Sequence, residues 1–166
     1  MRRLSGFTLL ELMVVIAIVA ILAGVGIPAM SNFLQNSRAE AKLTELSRMF
    51  AFARSHAAST RSPVTICPLT NDVCTANWQN SLSVFNDPNN NRQRDPNETI
   101  LRTIEASQAS DSVNFAPAGV TFTSAGATNV NGILSYCPGG EASHSAQLTL
   151  LQSGRSRVSK NGAVCP

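Results

Sequence analysis

Histidine, tyrosine and tryptophan are nearly missing from this 166-residue chain, which holds two, one and one of them. The two histidines, His56 and His144, lie far apart in sequence, with no nucleophile motif beside either. A histidine-based acid–base centre is therefore not expected, and the chain reads as a non-enzyme without a cofactor. His56 and His144 are taken as surface or packing residues, and the isolated aromatics Trp78 and Tyr136 as core. The four cysteines, Cys67, Cys74, Cys137 and Cys165, include no CxxC pair, which speaks against zinc, and no metal site is expected. Repeats of solenoid period are absent. The net charge of only +3 excludes a bulk polycation, so any nucleic-acid affinity must come from a local patch.

What the chain does have is concentrated at its amino end. A short basic stub, Met1-Arg2-Arg3-Leu4-Ser5-Gly6, opens into Phe7-Thr8-Leu9-Leu10-Glu11, and the sequence then runs apolar to Ile27 except for two glycines. As a helix rising about 1.5 Å per residue, Phe7–Ile27 spans the roughly 30 Å hydrocarbon core of a bilayer. Arg2 and Arg3 on one flank orient such an anchor with its carboxyl side outside the cytoplasm. A carboxylate within the segment costs on the order of 2.5–3.5 kcal/mol on insertion scales, so Glu11 calls for a functional reason. An ordinary secretory signal has a shorter apolar region and a small-residue cleavage site, and does not fit.

The basic leader ending in glycine, the Phe-Thr-Leu-Leu-Glu-Leu that follows and the long apolar stretch resemble the class III signal of type IV pilins and type II secretion pseudopilins. The resemblance implies cleavage by a prepilin peptidase between Gly6 and Phe7 and N-methylation of Phe7. It implies that Glu11 serves filament assembly by meeting the amino terminus of a neighbouring subunit, and that Pro28 is the helix-bending proline of many pilins. With the leader gone, eleven of the thirteen basic side chains remain against ten acidic ones, a balance of +1. The expected organisation is a leader peptide at 1–6, a transmembrane and assembly helix at 7–28, an amphipathic continuation at 29–62 and a β-rich head at 63–166.

In that continuation Leu43, Leu46, Phe50, Ala53 and Ala57 recur at spacings of three and four, so this stripe should pack on a sheet. Gly24, Gly26 and Pro28 weaken helix propensity, and Pro63 sets the helix end near Ser59–Ser62. Beyond Pro63 come short β-prone runs separated by turn residues. Strands are expected near Val64–Cys67, Leu82–Asn86, Thr99–Ile104, Val113–Phe115, Val120–Thr123, Ile133–Tyr136, Gln147–Gln152 and Arg155–Ser159, with Gly154 supplying a tight turn at positive φ before the last. The fold class is α+β, a long amino-terminal helix packed on an antiparallel sheet. In an exported head an even cysteine count favours disulfides. Three pairings are open, and proximity suggests Cys67–Cys74 with Cys137–Cys165.

A second resemblance lies at the carboxyl end. Leu148-Thr149-Leu150-Leu151-Gln152-Ser153-Gly154-Arg155-Ser156-Arg157-Val158 is similar to the terminal strand and Gly-Arg-x-Arg motif of the GspH/FimT/FimU branch of minor pilins and pseudopilins. The helix end Ala53-Arg54-Ser55-His56-Ala57-Ala58 before Pro63-Val64-Thr65-Ile66-Cys67 fits the same branch. In FimT members that motif is associated with DNA binding during natural transformation, which implies a site at Gly154, Arg155 and Arg157. Strand alternation puts the two arginines on one face about 6.6–7 Å apart, close to the spacing of successive phosphates along a DNA strand. No acidic residue occurs from Ala142 to Pro166, so Lys160, and Arg92 with Arg94 in another loop, could widen the patch. Without an aromatic beside the motif, contact would be to the backbone of double-stranded DNA with little sequence preference.

The loop Asp87–Glu98 mimics a calcium-binding frame, but Arg92 stands where glycine is required, so a polar hairpin loop is the preferred reading. The sequence as a whole reads as a minor type IV pilin, FimT-like and DNA-binding. The alternatives are a FimU-like structural adaptor of the pilus tip and a GspH-like minor pseudopilin of type II secretion. The implied partners are other pilins through the amino-terminal helix, the prepilin peptidase, the inner membrane and double-stranded DNA. The implied location is the inner membrane with a periplasmic head, then the pilus at the cell surface.

Overall fold

The computed structural model describes residues 9–128, 130–160 and 165. Internal contacts divide the chain into two units, Met1–Leu34 and Gln35–Pro166, and the helix α1 (Leu9–Thr60) contributes to both. In the first unit none of the large apolar side chains from Leu9 to Leu34 is buried. A helix apolar on all sides finds no core in water and belongs in lipid or among other helices. The segment has the length and composition to cross a membrane. Pro28 lacks the N–H that the Gly24 carbonyl would accept. Despite this and the two glycines, the helix runs through Pro28 without interruption.

In the second unit α1 buries the stripe Leu43, Leu46, Phe50, Ala53 and Ala57, extended by Ala39 and Met49. The helix stops at Thr60, and Arg61 follows at φ +53° ahead of Pro63. The strands are β1 (Val64–Thr70), β2 (Val73–Cys74), β3 (Leu82–Asn86), β4 (Ile100–Ile104), β5 (Ser112–Asn114), β6 (Val120–Phe122), β7 (Gly132–Cys137), β8 (Ala146–Leu150) and β9 (Ser156–Lys160).

The described residues form two antiparallel sheets where the sequence reading has one. The first runs β2-β1-β3-β4 with β6 also on β1, and the second runs β5-β7-β8-β9. The division arises because β5 pairs with β7 while β6, only a few residues on, returns to β1. Short alternating runs specify which face is buried but not which strand is the partner. Strand β2 has no counterpart among the expected strands, since two residues carry no period. It is formed by a turn in which Asn71 and Asp72 take positive φ.

The core gathers the α1 stripe with Val64, Ile66, Val84, Phe122, Leu134 and Leu148 from both sheets. Phe50 sits 6.3 Å, centroid to centroid, from both Trp78 and Phe122, and Trp78 meets Phe115 edge-on at 4.9 Å. The buried indole still satisfies its N–H, donating to the Pro117 carbonyl at 2.6 Å. Disulfides join Cys67 to Cys74 and Cys137 to Cys165. A buried carboxylate ties the second sheet to α1. Asp111 accepts from Arg38 Nη2 at 2.8 and 2.9 Å, from the Gly139 N–H at 3.1 Å and from the Tyr136 hydroxyl.

Candidate nucleic-acid interface on the edge strand

β8 and β9 form a hairpin in which Thr149 lies opposite Arg157 and Leu150 opposite Ser156. The turn closes through Leu151 N–H to the Arg155 carbonyl at 2.9 Å and Gly154 N–H to the Leu151 carbonyl at 2.8 Å. Gly154 takes φ +74°, and a Cβ there would come within 2.1 Å of the Gly126 carbonyl oxygen. Glycine is thus required twice over, by its dihedral and by the approach of a second backbone. The strand begins at Ser156, one residue later than the sequence suggests, so Arg155 is the last residue of the turn.

Alternation follows from there. Ser156 and Val158 are half-buried, while Arg155 and Arg157 are exposed. Ser156 shares a hydrogen bond with Ser47 of α1 at 3.1 Å, so its parity faces the helix and that of Arg157 faces away. Arg155, in the turn, lies beside the helix residues Ser47 and Arg54. Neither arginine has an ion pair or hydrogen bond from its side chain among the described residues. β9 is also the sheet's edge strand, with no strand on its other side among the described residues.

The other cations singled out in the sequence do not join this pair. Lys160 has the parity of Ser156 and Val158, and its Nζ lies 2.8 Å from the Glu40 carboxylate of α1. The same alternation that turns Arg157 away from the helix puts Lys160 on the opposite face. Arg92 and Arg94 belong to the β3–β4 loop of the other sheet, and Arg94 pairs with Asp72 at 2.7 Å. The Arg94 hydrogen bond holds the Asp72 carboxyl below its ordinary range.

The loop that mimics a calcium frame spends its oxygens internally. The buried Asp87 carboxylate accepts from Thr65 Oγ1 at 2.6 Å and from the N–H groups of Asn91 and Arg92 at 3.0 and 3.2 Å. Asp95 accepts from the amides of Asn89 and Asn91. Glu98 accepts from the Asp95 N–H at 2.9 Å, and burial raises its carboxyl above the ordinary range. No group of three or more metal-ligating residues occurs among the described residues.

His56 lies beside the Phe52 ring, 5.8 Å between centroids, and His144 Nδ1 is 3.1 Å from Asn36 Oδ1, so the two do not meet. Glu11 stands in the first turn of α1 as described, and Gly6 and Phe7 lie outside the described residues.

Sequence reasoning missed two residues that shape the motif. Arg54 Nε donates to the Gly126 carbonyl at 3.0 Å, and Gly126 is the backbone against which Gly154 packs. Arg54 sits off the apolar stripe, so the helical period assigns it no packing partner. Nothing in the spacing pairs a helix arginine with glycines 72 residues and more away.

An apolar helix with one carboxylate in its first turn, followed in sequence by a disulfide-linked α+β head, defines a subunit of the type IV pilin class. The chain belongs to the GspH family, described as type II transport protein GspH, which matches residues 43–154, and residues 1–27 match the prokaryotic N-terminal methylation motif. It is 50% identical over 50 residues to prepilin peptidase-dependent protein D of Escherichia coli K12. That match spans 30% of this chain and only 32% of the relative's length. In fold it is similar to the type IV minor pilin FimU of Pseudomonas aeruginosa PAO1, with a TM-score of 0.64 at 22% identity over 81% of this chain and 99% of that one. A second crystal form of FimU gives 0.60 at 22% identity over 76% and 99%. The fold is that of a type IV minor pilin.

Proposed function

We propose that this member of the minor pilin and pseudopilin family is a filament subunit whose head contacts the backbone of double-stranded DNA through Arg155 and Arg157. The observation that carries the reading is the pair itself. Two exposed arginines flank Ser156 where the edge strand begins, neither has a carboxylate partner among the described residues, and a turn whose Gly154 admits no side chain leads into them. Guanidinium groups so placed grip successive phosphates and read no bases.

In this reading the prepilin peptidase cuts between Gly6 and Phe7, and Phe7 is methylated. The helix holds the protein in the inner membrane with its head in the periplasm, until Glu11 draws it into a filament beside other pilins. Helical packing there covers the apolar side chains that stand exposed on Leu9–Leu34. Replacing Glu11 by alanine should leave leader cleavage intact and abolish incorporation into filaments, which immunoblots of whole cells and sheared pili would separate.

DNA contact is tested by anisotropy of a labelled duplex titrated with the full chain in non-ionic detergent at two salt concentrations. Salt-sensitive, sequence-independent binding that Arg155→Ala/Arg157→Ala loses, with the salt slope reduced by about two, supports the reading. Absence of binding by the intact chain at low salt overturns it and favours the structural adaptor or the secretion pseudopilin.

A further inference from the structure

Beside the motif, a cleft of about 450 Å³ opens between α1 and the β8–β9 turn. Arg54, Ser55 and Ser47 line it from the helix, Gly126 from the loop after β6, and Arg155 and Ser156 from the hairpin. None of the described residues that line it is acidic. Its chemistry is two guanidinium groups, the Ser55 hydroxyl and the mutually bonded Ser47–Ser156 hydroxyl pair, which keeps one free O–H, around small side chains, a set of donors for an anion.

Arg54 is built into this wall. Its Nε is committed to the Gly126 carbonyl at 3.0 Å. Its side chain lies along two glycines: a Cβ on Gly126 would come within 3.3 Å of it, and one on Gly154 within 3.1 Å. The side chain is thereby held at its stem, while its remaining N–H donors have no acceptor among the described residues. A guanidinium fixed in this way loses little freedom on binding and presents a fork matched to a phosphate group. Arg155 lines the same cleft and stands two residues before the exposed Arg157, so the cleft continues the pair inward.

We infer that this cleft seats one backbone phosphate of the bound duplex, with Arg54 as the third cation of the site. The inference rests on the DNA reading proposed above. It takes the interface from two arginines on a surface to a groove with a defined floor, and it makes α1 part of the interface.

The test uses the full chain in non-ionic detergent and the same labelled duplex. Arg54→Gln removes the cation, and Ala58→Glu sets a carboxylate at an exposed position on the cleft's helix side. Ala109→Glu, exposed on the loop before β5, makes the same change in net charge away from the cleft. Arg54→Gln and Ala58→Glu should each weaken binding on the order of tenfold and lower the salt slope by about one, while Ala109→Glu leaves both near those of the parent chain.

Because Arg54 also holds Gly126, Ala58→Glu decides the matter if Arg54→Gln fails to fold. Binding that needs Arg155 and Arg157 but responds alike to Ala58→Glu and Ala109→Glu overturns the cleft and leaves the DNA reading standing. No binding by the parent chain overturns both.

Discussion

Gly154 and Gly140 share a dihedral and differ in surroundings, which separates two costs. Both take φ near +75°, but a Cβ on Gly140 would meet nothing within 4 Å, whereas one on Gly154 would strike the Gly126 carbonyl. Gly140→Ala should therefore cost only the left-handed penalty of about 1–2 kcal/mol. Gly154→Ala should cost roughly 2–5 kcal/mol and weaken any ligand that needs Arg155, which urea denaturation of both variants would show. The turn requirement of Gly154 was legible, because Ser153-Gly154 separates two β-prone runs. Its partners Gly126 and Arg54 were not, since they come from other parts of the chain.

Asp111 gives a second test at this scale. Burial alone would raise its carboxyl, but hydrogen bonds from Tyr136, the Gly139 N–H and Arg38 outweigh that and hold it below the ordinary range. A carboxyl lowered on folding contributes stability that is fully present above the unfolded value near 3.9 and lost as pH falls through the folded value. Arg38 is partly exposed, so its share is screened. Asp111→Asn should cost about 1–3 kcal/mol at neutral pH, and its deficit should shrink as acid protonates the parent carboxyl. Denaturation curves at pH 7 and pH 3 would check it; an equal deficit at both contradicts the assignment.

Elements were legible where a period repeats long enough to be counted. The stripe from Leu43 to Ala57 is five residues of one face, and all are buried. Phe50, at its centre between Trp78 and Phe122, should cost about 3–5 kcal/mol when replaced by alanine, measured by urea denaturation. Pairing between strands was not legible. Nothing local tells β6 to rejoin β1 while β5 joins β7, and one sheet was read where the described residues form two. The disulfides, by contrast, closed between neighbours in sequence. They differ in the loop they close, with separations of 7 and 28 residues. On the chain-entropy account, removing Cys137–Cys165 should cost about 3.5 kcal/mol and removing Cys67–Cys74 about 2.5 kcal/mol, so paired Cys→Ser variants should rank in that order.

For the whole molecule, the two ends of the sequence spoke more clearly than its middle, and for a physical reason. In the proposed function the amino end is read linearly, by a peptidase and a membrane, and its signal is contiguous. The Gly-Arg-x-Arg motif is likewise four adjacent residues on one hairpin. The cleft beside it brings together residues from 47 to 156, and only the folded chain assembles it. Lys160 was expected to widen the patch because no acid is near it in sequence, but Glu40 of α1 lies within 2.8 Å of it in the folded chain.

The central claim is that the helix builds the filament and the arginine pair captures DNA, two functions on separate parts of one chain. It is tested most directly in the cells that make the protein, by replacing the resident allele with Arg155→Ala/Arg157→Ala and scoring pili and uptake of a fluorescent duplex together. The account predicts normal numbers of pili that contain the variant at parental amounts, with uptake reduced at least tenfold. Unchanged uptake by cells whose pili contain the variant at parental amounts would contradict it.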